Sequence, residues 1–169
     1  MIGELLVLIV FPALLVAAAV CDLGSFTIPN RIQIALLASF LVFALISGMS
    51  AEAFGVHMLA GIAGLAIGFS LFALGYVGGG DAKLFAGAAL WFGFGDLLTY
   101  TVIASVLGGF LTLGILGARK IPLPSFLAHQ GWVMRLHDDK SGIPYGIALA
   151  AGGLAVLPYT EIFRLGIIN

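Results

Sequence analysis

Long apolar runs alternate along this chain with short polar punctuation. A membrane-spanning helix needs about 20 mostly apolar residues, and runs of that kind fall at about 2–20, 32–48, 56–77, 84–95, 98–117 and 143–158. Between them lie a turn at Pro29 and Asn30, a turn at Glu52, the triple glycine Gly78-Gly79-Gly80, a turn at Asp96, and a longer polar stretch from Arg119 to Gly142. The fourth run is too short to cross alone. It either borrows residues from the glycine turn and from Gly93 to Asp96 or is sheltered by its neighbours, because lipid tolerates no exposed irregular backbone. The pattern predicts an all-α fold, a polytopic transmembrane helix bundle of about six spans, or five if the fourth run does not cross. It forms one membrane-embedded domain over 1–169, with a polar segment at about 119–142.

Charge placement supports these boundaries and orients them. Every charged residue lies at or near a run's end, as expected when a charge at the centre of a lipid-facing helix costs a few kcal/mol. With six spans, the turns after the first, third and fifth share one side and hold Arg31, Lys83, Arg119, Lys120, Arg135 and Lys140. The other side holds only Arg164. The positive-inside rule makes the first side cytoplasmic and puts both termini outside. The first run carries Glu4 where a secretory signal would have basic residues, and it is read as a retained span.

Composition narrows the class further. Of 169 residues 62% are apolar, 24 more are glycine, and only 9% are charged, against roughly 25% charged in soluble domains. A soluble enzyme is excluded. A net charge of −1 gives no basic footprint for nucleic acid. Cys21 is the sole cysteine, so an internal disulfide and a cysteine-rich zinc site are excluded too. His57, His129 and His137 have neither the helical pairing nor the partners of a metal site. No phosphate loop and no serine nucleophile elbow is present. Gly61, Gly64, Gly68, Gly108, Gly109 and Gly114 are assigned to close helix packing, and no fixed-period or inverted repeat is visible. In the polar segment, Pro124 and Ser125 can open an interfacial helix whose apolar residues, Phe126 to Leu136, face lipid.

Side assignment sorts the eight carboxylates. Glu4, Glu52, Asp96 and Glu161 fall outside; Asp22, Asp81, Asp138 and Asp139 fall inside. Asp138 and Asp139 sit in the solvated segment beside Arg135 and Lys140. Asp22 closes the first span ahead of Ile28-Pro29-Asn30, where proline stops the chain in extended form and Asn30 is expected to cap the next helix. Asp81 follows Gly78, Gly79 and Gly80, which permit positive φ and close approach, and is placed to cap the helix it opens. Two carboxyl groups held close at a membrane surface cannot both ionise cheaply, so the pair shares a proton. That is the apparatus of an aspartic protease: one carboxylate deprotonates water while its protonated partner polarises the carbonyl.

Taken in order, Asp22 with Ile28-Pro29-Asn30-Arg31, Gly78-Gly79-Gly80-Asp81-Ala82-Lys83-Leu84, and Gly142-Ile143-Pro144-Tyr145-Gly146 resemble the motifs of a type IV prepilin peptidase over nearly the whole chain. The resemblance implies a Gly-x-Gly-Asp class aspartic endopeptidase of the bacterial cytoplasmic membrane. Such an enzyme removes the short basic leader of prepilins and pseudopilins after a glycine, just before their hydrophobic N-terminal helix. Asp22 and Asp81 match its catalytic pair, and Gly78, Gly79 and Gly80 the turn that shapes the site. Many members carry a cysteine-rich insert between the first two spans and also N-methylate the product. Here about eleven residues, 21–31, join those spans, which is more similar to the compact peptidases of tight-adherence pili. The methyltransferase step is not expected, and no cofactor with it; S-adenosylmethionine would enter only with that step. The rival readings are a small transporter or channel using the two aspartates as a relay, and a non-catalytic scaffold for pilus assembly.

Overall fold

The computed structural model describes residues 2–127 and 129–168. Ala128, inside the polar segment, lies outside them. The helices are α1 (Ile2–Ser25), α2 (Asn30–Ile46), α3 (Ala51–Ala73), α4 (Gly79–Arg119), α5 (Gly131–His137), α6 (Tyr145–Val156) and α7 (Glu161–Ile168), and no strand occurs among the described residues. By length and composition α1, α3 and α4 can each cross a membrane, and α6 with α7 makes a fourth span if the pair, bent by 60°, counts as one. α2, of 17 residues, is apolar but shorter. The outside is correspondingly apolar, with Leu45, Phe69, Leu98, Phe110 and Leu113 all exposed.

The two runs expected at 84–95 and 98–117 are the arms of α4, and the turn between them lies at Gly93 rather than Asp96. Gly93 has φ 62° and ψ 179°, a conformation open essentially to glycine alone. The chain doubles back there. Phe85 stacks on Tyr100 with ring centroids 5.7 Å apart, whereas 15 residues of straight helix would separate them by about 22 Å. His57 braces the reversal: its Nδ1 lies 2.9 Å from Leu90 O, and a Cβ on Gly93 would meet its ring at 2.9 Å.

Small residues set the helix approaches, as expected of a bundle whose cohesion in lipid comes from packing. α3 lies antiparallel to the first arm, Gly61 against Leu90, Gly64 against Ala86 and Ala89, and Gly68 against Ala82. The second arm lies antiparallel to α6, Ala104 against Gly152 and Gly108 against Tyr145 and Ala148. α6 lies antiparallel to α1, Gly153 meeting Leu15 and Gly146 meeting Asp22. Gly109 and Gly114, also assigned to packing, face open space.

An aromatic cluster near the Gly93 end pins α1, α2 and the first arm together. Trp91 is fully buried, stacks on Phe11 at 4.6 Å, meets Phe40 and Phe43, and donates from Nε1 to Leu36 O at 3.0 Å. At the same end Glu52, His57, Asp96 and Glu161 line one cavity. Asp22 and Asp81 lie at the other.

In the polar segment the helix is α5, seven residues long, starting at Gly131 rather than at Pro124. Arg119 ties the segment to the end of α4. Its Nε donates to Leu136 O at 2.8 Å, and one terminal nitrogen to Ser141 O and Gly142 O at 3.0 and 3.1 Å.

Candidate active site

The Asp22 end is built by three chain segments that meet. α1 ends just past Asp22: Phe26 adopts a left-handed conformation (φ 54°, ψ 29°) and its N–H donates to Asp22 O at 2.8 Å. Four residues, Phe26 to Pro29, then lead into α2. Ile28 is buried among them and forms the wedge between the segments. A Cβ on Gly80 would stand 3.2 Å from its side chain, and one on Gly146 only 2.9 Å.

The glycines around Asp81 act through closeness, not through positive φ. Gly79 and Gly80 form the first turn of α4, with Gly78 as its N-cap in extended conformation (φ −71°, ψ 150°). Among the described residues the positive-φ glycines are Gly48, Gly75 and Gly93. Gly78 N–H donates to Asp81 Oδ2 at 3.2 Å, so Asp81 caps its own helix from the third position. A Cβ on Gly78 would sit 2.9 Å from that oxygen. Asn30 departs from expectation as well. Pro29 occupies the N-cap of α2, and Asn30 Oδ1 instead accepts from Lys83 Nζ at 2.9 Å, tying α2 to α4 across the site's edge.

Both carboxylates are buried, Asp22 to 4% exposure and Asp81 to 8%, and they are near enough to interact as charges. Gly146 stands between them. Its N–H donates to Asp22 Oδ2 at 2.7 Å and is close enough to act on the Asp81 carboxyl too. A helix's first turn leaves such N–H groups without internal partners, and the α6 dipole favours negative charge at this point. The other Asp81 oxygen, Oδ1, is buried with no hydrogen-bond partner among the described residues. Tyr100, fully buried with its hydroxyl likewise unpartnered, lies within electrostatic reach of Asp81. Tyr145 packs on Gly108 and shares a hydrogen bond of 3.1 Å with Thr112.

The structure therefore brings Asp22 and Asp81 together with Gly78 and Gly80, and leaves Asp138 and Asp139 in the exposed segment, Asp138 Oδ1 accepting from Lys140 N–H at 2.9 Å. The sequence motifs contain Ile28 and Gly146, but sequence reasoning gave neither a role of its own in the site. The usable signal for Gly146 was its place in the first turn after Pro144, where a bare N–H is certain. Among the described residues no group of three or more His, Cys, Asp or Glu is placed to hold a metal.

Comparison with known proteins agrees with the family resemblance. The chain is 28% identical over 141 residues to a prepilin leader peptidase/N-methyltransferase of Aeromonas hydrophila, covering 74% of this chain and 47% of that protein. A protein of the same name from Aeromonas salmonicida (strain A449) matches with the same identity and coverage. The chain thus spans about half the length of these curated relatives. No solved structure matches it significantly. The model of the type IV leader peptidase family matches residues 9–113, more than half the chain, so this protein belongs to the type IV leader peptidase family.

Proposed function

We propose that the chain is a membrane aspartic endopeptidase that removes the basic leader from type IV prepilins or pseudopilins at the cytoplasmic face of the bacterial cytoplasmic membrane. The observation that carries this reading is the pairing of two buried carboxyl groups about one backbone N–H, that of Gly146, at one end of an apolar bundle. Family membership and the printed name of the relatives, prepilin leader peptidase, supply the reaction class. The face follows from the basic residues: Arg31, Lys83 and Arg119 flank the helix ends nearest the aspartates, where the positive-inside rule puts the cytoplasm. The proposal covers the peptidase step alone.

In that reaction one ionised carboxylate takes a proton from water as the water oxygen attacks the scissile carbonyl carbon. The protonated partner donates to the carbonyl oxygen, giving a tetrahedral diol. Collapse breaks the C–N bond, and the proton taken from water passes to the leaving amine. The Gly78 N–H holds Asp81 Oδ2 and the Gly146 N–H holds Asp22 Oδ2, while Asp81 Oδ1, with no partner among the described residues, is free to bond the substrate or its water in either role. A relay across the bilayer would need ionisable groups spaced through its depth; the two aspartates share one end.

The test is leader cleavage of a co-expressed prepilin with a basic leader, a glycine junction and a hydrophobic stem, read by gel shift and N-terminal sequencing. Wild type should cut after the glycine, and Asp22→Asn and Asp81→Asn, at matched membrane abundance, should each abolish the cut. Cleavage surviving either substitution removes that aspartate from the mechanism. Failure of wild type on several such substrates overturns the peptidase reading.

A further inference from the structure

Next to Asp81 lies a cavity of about 210 Å3 between α3 and the second arm of α4. Ala82 and Phe85 of the first arm and Leu149 of α6 line it, and Ile67, Leu71 and Ser105 lie along its rim. Ile67 is 51% and Leu71 39% exposed, and Ser105 is exposed as well, so the cavity opens sideways through the apolar flank of the bundle. It is largely apolar beyond its Asp81 end: of its three hydroxyls, Thr101 already donates to Leu97 O at 2.7 Å, Tyr145 is paired with Thr112 at 3.1 Å, and Ser105 lies at the exposed rim. Its depth is about one helical turn, roughly 6 Å, since it runs from Asp81 to Phe85 on one arm and from Ser105 to Thr101 on the other.

A side opening onto lipid with a carboxyl group at one end is the wrong shape for a free soluble ligand and the right one for a chain already lying in the bilayer. The volume is about seven times the ~30 Å3 share of a water molecule. That accommodates one large apolar side chain, not a helix. We propose that this cavity receives the apolar side chain directly after the scissile bond, the rest of the substrate's hydrophobic helix lying in lipid against the rim formed by α3 and the second arm. The inference rests on the peptidase reading and adds to it the residues that select the substrate: Leu71, Phe85, Ser105 and Leu149. Continuity with Asp81 fixes which substrate residue enters. A side chain seated there leaves its own backbone nitrogen, the leaving amine, facing the carboxyl group.

Three prepilins differing only at the first mature residue, Ala, Phe or Trp, provide the test. Ser105→Phe narrows the rim, and should lower the rate for Phe relative to Ala by about tenfold or more, the size expected when an apolar pocket loses room for its occupant. Leu71→Ala widens the rim at an exposed position that the fold tolerates, and should raise Trp relative to Phe by about fivefold. Preferences unchanged in Leu71→Ala, with cleavage intact, overturn the cavity's role and leave the peptidase standing; an acyl chain filling the cavity gives that result. Absence of cleavage by wild type on all three overturns both readings together.

Discussion

Gly146→Ala isolates the hydrogen bond on which the carboxyl pair depends. The added methyl would stand 2.8 Å from Asp22 Oδ2, 3.0 Å from Asp22 Cβ and 2.9 Å from Ile28 Cδ1, where ordinary contact begins at 3.4 Å. Relieving it requires a shift of about 0.6 Å, and a misplacement approaching 1 Å near reacting groups costs on the order of 100-fold in rate. The N–H to Oδ2 bond, 2.7 Å long, stretches in the same movement. A hydrogen bond to a charged group contributes about 1.5–3 kcal/mol, or about 10- to 150-fold in rate. The two routes agree, so kcat for leader cleavage should fall by about 10- to 100-fold with KM little changed. Gly109→Ala is the control, because its Cβ would meet nothing within 4 Å and alanine favours helix. Both variants should reach wild-type membrane abundance. A Gly146→Ala enzyme cutting within about threefold of wild type would show that this N–H does not position the pair.

Two further substitutions probe the frame around the site. Gly93→Ala imposes a side chain on a glycine-only backbone conformation and drives it into His57; the strain of about 1–3 kcal/mol should lower the detergent unfolding midpoint, and adding His57→Ala should recover only part of it, whereas an unchanged midpoint would refute the reversal. Arg119→Ala removes three hydrogen bonds to Leu136, Ser141 and Gly142 and should speed limited proteolysis within 120–142, with Arg119→Lys giving little rescue because lysine lacks the planar fork; equal proteolysis of all three proteins would show that the clamp is not needed.

The helices were legible because lipid leaves an apolar run few alternatives to helix, and the alternation of polar ends grouped Asp22 with Asp81, and Glu52 with Asp96 and Glu161, as the structure does. What escaped depends on contacts between distant segments. Asp96 looked like the turn because it is polar, but the reversal falls where the backbone conformation admits only glycine, at Gly93. Asn30 was expected to cap α2 by local preference, and the distant Lys83 took its side chain instead. Gly78, Gly79 and Gly80 were expected to supply positive φ; Gly78 and Gly80 instead need space beside Asp81 and Ile28, which no local pattern encodes, and Gly79 faces only Phe72. Gly146 contributes only a backbone N–H, so its chemistry has no side chain to advertise it.

The hydrogen bond from Gly146 to Asp22 closes a sequence separation of 124 residues. A ribosome adding about 5–20 residues per second makes Asp22 about 6–25 s before it makes the donor that holds it. Through that interval the first helix carries a carboxyl group lacking this partner. Stop-codon truncations before residue 145 should therefore insert their early helices and yet be inert, because the pair is completed only when α6 emerges.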